Sequence, residues 1–333
     1  MITNNRALVT GAGGFIGTHL VRYLKDRGYW VRGVDLKRPE FSETDADEFL
    51  VLDLRDRGDA VQATAGVDDV YALAADMGGM GFISSHHAQI LYNNSLINLH
   101  TLESARLNGV KRYLYTSSAC VYPEHLQMDA NVTPLKEEDA YPAFPQDAYG
   151  WEKLISERLC THYREDFGLE TRIVRFHNIF GELGTWQGGR EKAPAAICRK
   201  VANAKLDGDS FIEIWGDGEQ TRSFCYIDDC VEGIHRLMRS DHFEPLNLGQ
   251  DRMVTINELV DIVSGIAGVR LEKRHVDGPI GVRGRNSDNS KLRSVLDWEP
   301  TISLEDGLRE TYKWIEAQVA ASRAKKTITS GTA

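Results

Sequence analysis

The stretch "ALVTGAGGFIGTHL", residues 7–20, decides the fold. An apolar run ends at Thr10, glycines follow at Gly11, Gly14 and Gly17, and a helical pattern opens at once. A strand that turns through glycines into a helix offers free backbone amides and a positive helix end, the arrangement that receives a dinucleotide's pyrophosphate. The spacing is GxxGxxG; the commoner GxGxxG fails because Ile16 stands where its last glycine would fall. Gly11, Gly14, Phe15, Ile16 and Gly17 are therefore expected to line the cofactor. The next run, "VRGVD", ends at Asp35, where a carboxylate accepts from the adenosine ribose hydroxyls and repels the extra phosphate of NADP, so NAD is predicted. Asp53, closing "FLVLD", either meets the adenine amino group or caps the following helix. Leu73, Ala74 and Ala75, after the fourth run, complete the expected cofactor contacts.

Outward from that loop, "RALVT", "VRGVD", "FLVLD", "DVYALA", "RYLYT" and "TRIVRF" read as buried strands separated by helical patterns, among them 18–27, 89–108 and 147–167. Alternating strands and helices predict an α/β fold, a Rossmann-type doubly wound parallel sheet. Beyond Phe176 the alternation fades into a Gly-rich segment (181–189), a helix over 193–204 and the turn "WGDGEQ". The expected organisation is an NAD-binding domain at 1–177, rejoined by parts of 222–250, with a smaller interleaved substrate lobe at 178–320. The polar tail 321–333 reads as disordered.

The 333 residues are 42% hydrophobic and 26% charged, enough for a large core. A net charge of −10 with no Lys/Arg block argues against nucleic acid as partner. No apolar stretch approaches the ~20 residues of a spanning helix, and no signal segment opens the chain, so a cytoplasmic protein without membrane contact is expected. Cys120, Cys160, Cys198, Cys225 and Cys230 form no CxxC pair, so neither disulfides nor a metal site are expected.

In "DAYGWEKL", Tyr149 and Lys153 are four apart and share one helix face. A neighbouring ammonium lowers a phenol's pKa, which lets Tyr149 take the proton of a sugar hydroxyl as hydride leaves the same carbon. Ser118, ending the preceding strand, is placed to hold the same oxygen. The order of glycine loop, acid, "TSS" and YxxxK resembles the extended short-chain dehydrogenase/reductase family, whose members modify nucleotide sugars. The segments "AADMGGMGF", "SSACVYPE", "PQDAYGWEKL", "RFHNIFG", "GGREKAPAA" and "GVRGRNSDN" are similar to its branch that acts on GDP-sugars.

The resemblance implies an NAD-dependent epimerase that inverts C3 and C5 of GDP-mannose or a related GDP-sugar through a 4-keto sugar. A ketone at C4 acidifies both neighbouring C–H bonds, and inversion then needs a base and an acid on opposite faces. The resemblance gives these roles to Cys120 and to Lys192, whose ammonium would need desolvation or Arg190 beside it to lower its pKa. Without it, Cys120 reads as a packing thiol and Lys192 as a surface charge. By the same pattern Arg222 and Arg283 meet the diphosphate from loops, or else pair with surface carboxylates. Asn178 joins them, Gly78, Gly79 and Met80 approach the sugar, and Lys200 with "WGDGEQ" lies near the base, while His177 is a core residue. Helices 89–108 and 147–167 suggest a homodimer, although packing on their own sheet gives the same pattern. A single-site or C4 epimerase, a 4-ketoreductase and a non-catalytic NAD sensor remain open on the residues alone.

Overall fold

A computed structural model describes residues 5–278 and 281–330, with Met80 and residues 326–330 described in backbone only. Strands β1 (Arg6–Thr10), β2 (Trp30–Asp35), β3 (Glu48–Val51), β4 (Asp69–Ala72), β5 (Arg112–Ser118) and β6 (Glu170–Phe176) are joined through helices α1 (Phe15–Asp26), α2 (Arg57–Thr64), α3 (Met80–Ile83), α4 (His87–Leu107) and α5 (Ala148–Phe167). Side chains alternate across each strand, and both faces are apolar. Ala7 and Val9 pack with Leu20 and Leu24 of α1, while Leu8 packs with Ala60 of α2 and Leu102 of α4 on the opposite face. The result is the doubly wound parallel sheet, of order β11-β6-β5-β4-β1-β2-β3, with helices on both sides. The chain leaves β1 toward β2 on one side and returns as β4 on the other, and a crevice at the carboxyl edge follows from that reversal.

The remaining elements are β7 (Ile179–Phe180), α6 (Ala193–Asp207), β8 (Phe211–Trp215), β9 (Thr221–Ser223), β10 (Cys225–Tyr226), α7 (Ile227–Arg239), β11 (Leu246–Leu248), β12 (Met253–Thr255), α8 (Ile256–Ala267), β13 (Glu272–Val276), β14 (Gly284–Arg285), α9 (Ser290–Leu296) and α10 (Leu304–Ser330). β11 pairs with β6 in the main sheet, and β12, β9 and β14 form a small sheet over the crevice side. Ile197, Val201, Val260 and Leu308 of the later helices share one continuous core with Ala7, Val9 and Leu114 of the main sheet.

Four sequence expectations change. β3 ends at Val51 and not at Asp53, and β4 ends at Ala72 because Thr10 Oγ1 accepts from the amides of Leu73 and Ala74 and turns the chain away. Arg222 lies in strand β9 and not in a loop. The stretch read as a disordered tail is helical through Ser330, held by Arg323, which pairs with Asp207 at 2.5 Å and donates to Asn203 at 2.6 Å; residues 331–333 lie outside the described residues.

A buried ion pair ties the site's floor together. Arg175 (1% exposed) meets Glu157 (3% exposed) at 2.7 Å and also donates to the Glu137 carbonyl, while Ser117 Oγ donates to Glu157. Removing one partner strands the other charge without water. Glu157→Ala is therefore expected to cost about 3–5 kcal/mol of folding stability, read from urea unfolding; a loss under about 1 kcal/mol, the range of a surface pair, would contradict this account.

Candidate active site

The glycine loop is shaped by what a side chain would strike. A Cβ on Gly13 would lie 2.1 Å from the Lys37 carbonyl oxygen, and one on Gly17 would lie 2.1 Å from that of Gly11. Gly11 holds φ +71° against the backbone of Leu73 and Ala74, and the exposed Gly14 precedes α1, whose first residues Phe15 and Ile16 are half-buried. Asp35 accepts from the amides of Gly13 (3.0 Å) and Lys37 (3.3 Å), and burial pushes its carboxyl up against those two bonds. A bare backbone cradle at a helix N-terminus beside the Asp35 carboxylate fits NAD. Asp53 sits at the same edge, where its carboxylate is held by Arg55 at 2.6 Å and kept below the usual range by that bond. It does not cap α2; Asp56 does, accepting from the amides of Gly58 and Asp59.

Tyr149 and Lys153 occupy adjacent turns of α5, which Asp147 caps by accepting from the Gly150 amide at 2.8 Å. At Gly150 a Cβ would come within 2.2 Å of the Cys120 carbonyl oxygen, so glycine lets α5 reach the end of β5. Ser118 Oγ accepts from the Cys120 amide at 3.2 Å and stands near the Tyr149 hydroxyl. Lys153 (3% exposed) donates to the Thr116 carbonyl at 3.0 Å, its Nζ 5.5 Å from the centre of the Tyr149 ring. The lowered phenol pKa expected from Lys153 is not what this arrangement gives. Burial, then the charge of Cys120, holds the Tyr149 phenol well above its ordinary value, with the nearby Ser118 hydroxyl acting weakly the other way. Burial likewise lowers the Lys153 ammonium, with Glu152 and Cys120 opposing.

Cys120 is half-buried, whereas the other four cysteines are buried. Its Sγ accepts from Arg285 at 3.4 Å, and Arg285 Nε donates to Gln127 at 2.6 Å, which fixes the guanidinium. Lys192, just before α6, is water-accessible yet ringed by protein atoms in the cleft; this surrounding lowers its ammonium, Cys120 acts against it, and Arg285 adds to it. The sequence offered desolvation or Arg190 for that role; desolvation leads, and Arg190 lies instead 3.8 Å from the Phe82 ring centre and 3.4 Å from the Met77 carbonyl. Arg222 donates to the carbonyls of Thr221 and Val282, and burial followed by the nearby Arg285 pushes it down to about 9. Arg283 is tied to Asp217 at 2.8 Å; Arg285, two residues later in the same motif, is the arginine beside the thiol.

Gly78 and Gly79 press against the loop carrying Lys192: the Gly79 amide donates to the Arg190 carbonyl at 3.1 Å, and a Cβ there would meet the Glu191 carbonyl oxygen at 2.7 Å. Met80 opens α3, and its side chain lies outside the described residues. Ala75 lies in the loop between β4 and Gly78. Asn178 takes φ +48°, tolerable for Asn, and donates to the Ser223 carbonyl at 2.9 Å. His177 is fully buried, bonded to Asn247 at 2.9 Å, and pushed down to about 3 by burial. Lys200 donates to the Glu213 carbonyl with its Nζ 5.8 Å from the exposed Trp215 ring, away from the thiol. Sequence reasoning missed Gly13, Arg285 and Asp76, whose carboxylate gathers Gln89 and Asn93 beside the loop of Gly78 and Gly79. The doubled glycine of "GAGG" and the second arginine of "GVRGRN" carried the first two signals. Among the described residues no group of three His, Cys, Asp or Glu is placed to hold a metal ion.

Comparison with known proteins agrees with this geometry. Residues 7–249 match the family described as NAD dependent epimerase/dehydratase. The chain is 54% identical to GDP-mannose 3,5-epimerase 1 of Oryza sativa subsp. japonica, over 96% of this chain and 84% of the relative. It is 53% identical to GDP-mannose 3,5-epimerase of Arabidopsis thaliana, over 97% and 85%. A solved structure of UDP-glucose 4-epimerase from Thermotoga maritima superposes with a TM-score of 0.84 at 26% identity, covering 94% of this chain and 99% of that one. The chain thus belongs to the NAD dependent epimerase/dehydratase family.

Proposed function

We propose that the protein is an NAD-dependent epimerase acting on GDP-mannose, inverting C3 and C5 of its hexose to give GDP-L-galactose, with GDP-L-gulose formed when C5 alone inverts. The observation that carries this reading is that Cys120, the one cysteine not buried, accepts from Arg285 and lies within charge–charge reach of both Lys192 and Tyr149. Proton carriers for carbon and a base for oxygen thus converge on one sugar.

NAD, when bound, accepts the C4 hydride and later returns it. Tyr149 takes the C4 hydroxyl proton, with Ser118 beside the phenol and Lys153 supplying the buried positive charge that an ionised phenol needs. With a carbonyl at C4, the adjacent C–H bonds become acidic. Cys120 and Lys192 then remove and deliver the proton from opposite faces, first at one neighbour and then at the other. Arg285 steadies a sulfur that carries charge, as a charge-assisted donor. Asn178, Arg222 and Arg283 are assigned to the diphosphate, Gly78, Gly79 and Met80 to the sugar, and Lys200 with Trp215 to the base.

The outer faces of α4 and α5 leave Leu91, Tyr92, Leu99, Trp151 and Ile155 exposed on neighbouring helices, an apolar surface suited to a second copy in a homodimer. Five free thiols are in keeping with a cytoplasmic setting, and no helix of the described residues is long and apolar enough to cross a membrane.

In heavy water with GDP-mannose, NMR is expected to find deuterium at both C3 and C5 without net NADH. Label at one carbon alone would make this a single-site epimerase. Cys120→Ala and Lys192→Met should each slow exchange by about 10²–10⁴-fold while still forming bound NADH, read by absorbance; exchange at the wild-type rate would remove that residue from the mechanism. Ile155→Glu is expected to give a monomer by light scattering, and an unchanged mass would place the pairing surface elsewhere.

A further inference from the structure

Glu152 has no part in the steps above, yet it is 1% exposed, beside Lys153 on α5. Its Oε1 collects three donors, Asn98 Nδ2 of α4 (2.5 Å), Ser156 Oγ (3.0 Å) and Tyr115 OH of β5 (3.3 Å). Its Oε2 is buried with no partner among the described residues. A carboxyl placed only for its hydrogen bonds would not leave one oxygen idle, because an orphaned buried acceptor is costly. The idle oxygen leaves the charge to be explained.

Lys153 presents the complementary problem. Its ammonium is buried, bonded to the Thr116 carbonyl, and no carboxylate lies within ion-pair distance among the described residues. Its Nζ stands 4.8 Å from the centre of the Tyr115 ring, and the hydroxyl of that ring donates to Glu152. Tyr115 therefore separates a buried cation on its face from a buried anion at its edge.

We propose that Glu152 is a positioning residue whose buried negative charge acts through Lys153, as the counter-charge that keeps the ammonium of the Tyr149–Lys153 pair in place. The groups facing Lys153 are Tyr149, Glu157 and Cys160 on α5, Tyr115 and the Thr116 carbonyl on β5, Asn98 on α4 and Cys120 in the turn beyond β5. Burial pulls the ammonium down, and of the charges that oppose it Glu152 comes first, ahead of Cys120 and Glu157. The same carboxylate adds to the burial that holds the Tyr149 phenol up. Its removal eases proton loss from both members of the pair.

The test is the pH profile of kcat for Glu152→Gln, which keeps an acceptor for the three donors and deletes the charge. Both limbs are expected to move to lower pH by about one unit, a tenfold change in ionisation ratio at fixed pH. Glu152→Asp should restore the wild-type profile. A lower kcat with both limbs unmoved would make Glu152 structural and overturn the proposal. Should the Gln variant fail to fold, Glu152→Met with Asn98→Leu and Ser156→Ala removes the carboxylate with two of its three donors and is expected to show the same acid shift. The inference rests on the assigned pair, and the two fail separately: full turnover by Lys153→Met would sink that assignment, whereas a Glu152→Gln profile superimposable on wild type sinks the inference alone.

Discussion

The close approach of α5 to the turn after β5 is the contact on which the site depends. Gly150 lies so near the Cys120 carbonyl that no other residue fits without moving backbone. That contact sets Tyr149 against Ser118 and holds the thiol two residues further on in the same pocket. Oxidation at one carbon and proton transfer at its neighbours then need no movement of substrate between sites. The approach is stiffened from beneath by Arg175 and Glu157, which bind β5, β6 and α5 into one polar knot inside an apolar body.

Burial is the second organising fact, and it acts on each titrating group in the direction chemistry predicts. It raises Tyr149 and lowers Lys153, so each would shed its charge in isolation. The cleft answers by placing ionisable partners of opposite tendency side by side. Charges that would be screened at a surface interact strongly here, because little water intervenes.

Much of this was legible in the chain. Apolar runs of fixed length, the glycines after Thr10 and the acid at Asp35 define a parallel sheet and its ligand edge, because the backbone geometry they permit is narrow. Tyr149 and Lys153 were legible because a helix fixes the spacing of side chains that share a face. Two kinds of feature were not. Arg283 and Arg285 stand in one motif, and which guanidinium reaches the thiol depends on Gln127 and Asp217, contributed from distant parts of the chain. The phenol was read from its neighbour's charge alone, whereas its ionisation is dominated by burial, a property of packing that no local spacing reveals. The helical end of α10 was hidden for the same reason, since its polar composition is offset by Asp207 and Asn203 on another helix.

Asp35 has a consequence for anyone redesigning the protein. Its two oxygens anchor the amides of Gly13 and Lys37, so the side chain proposed to select NAD is also a strut of the glycine loop. Exchanging it for a neutral residue to admit a 2′-phosphate would release both amides at once. Selectivity and rigidity are inherited together at this position, and a switch of preference has to rebuild the turn as well as the charge.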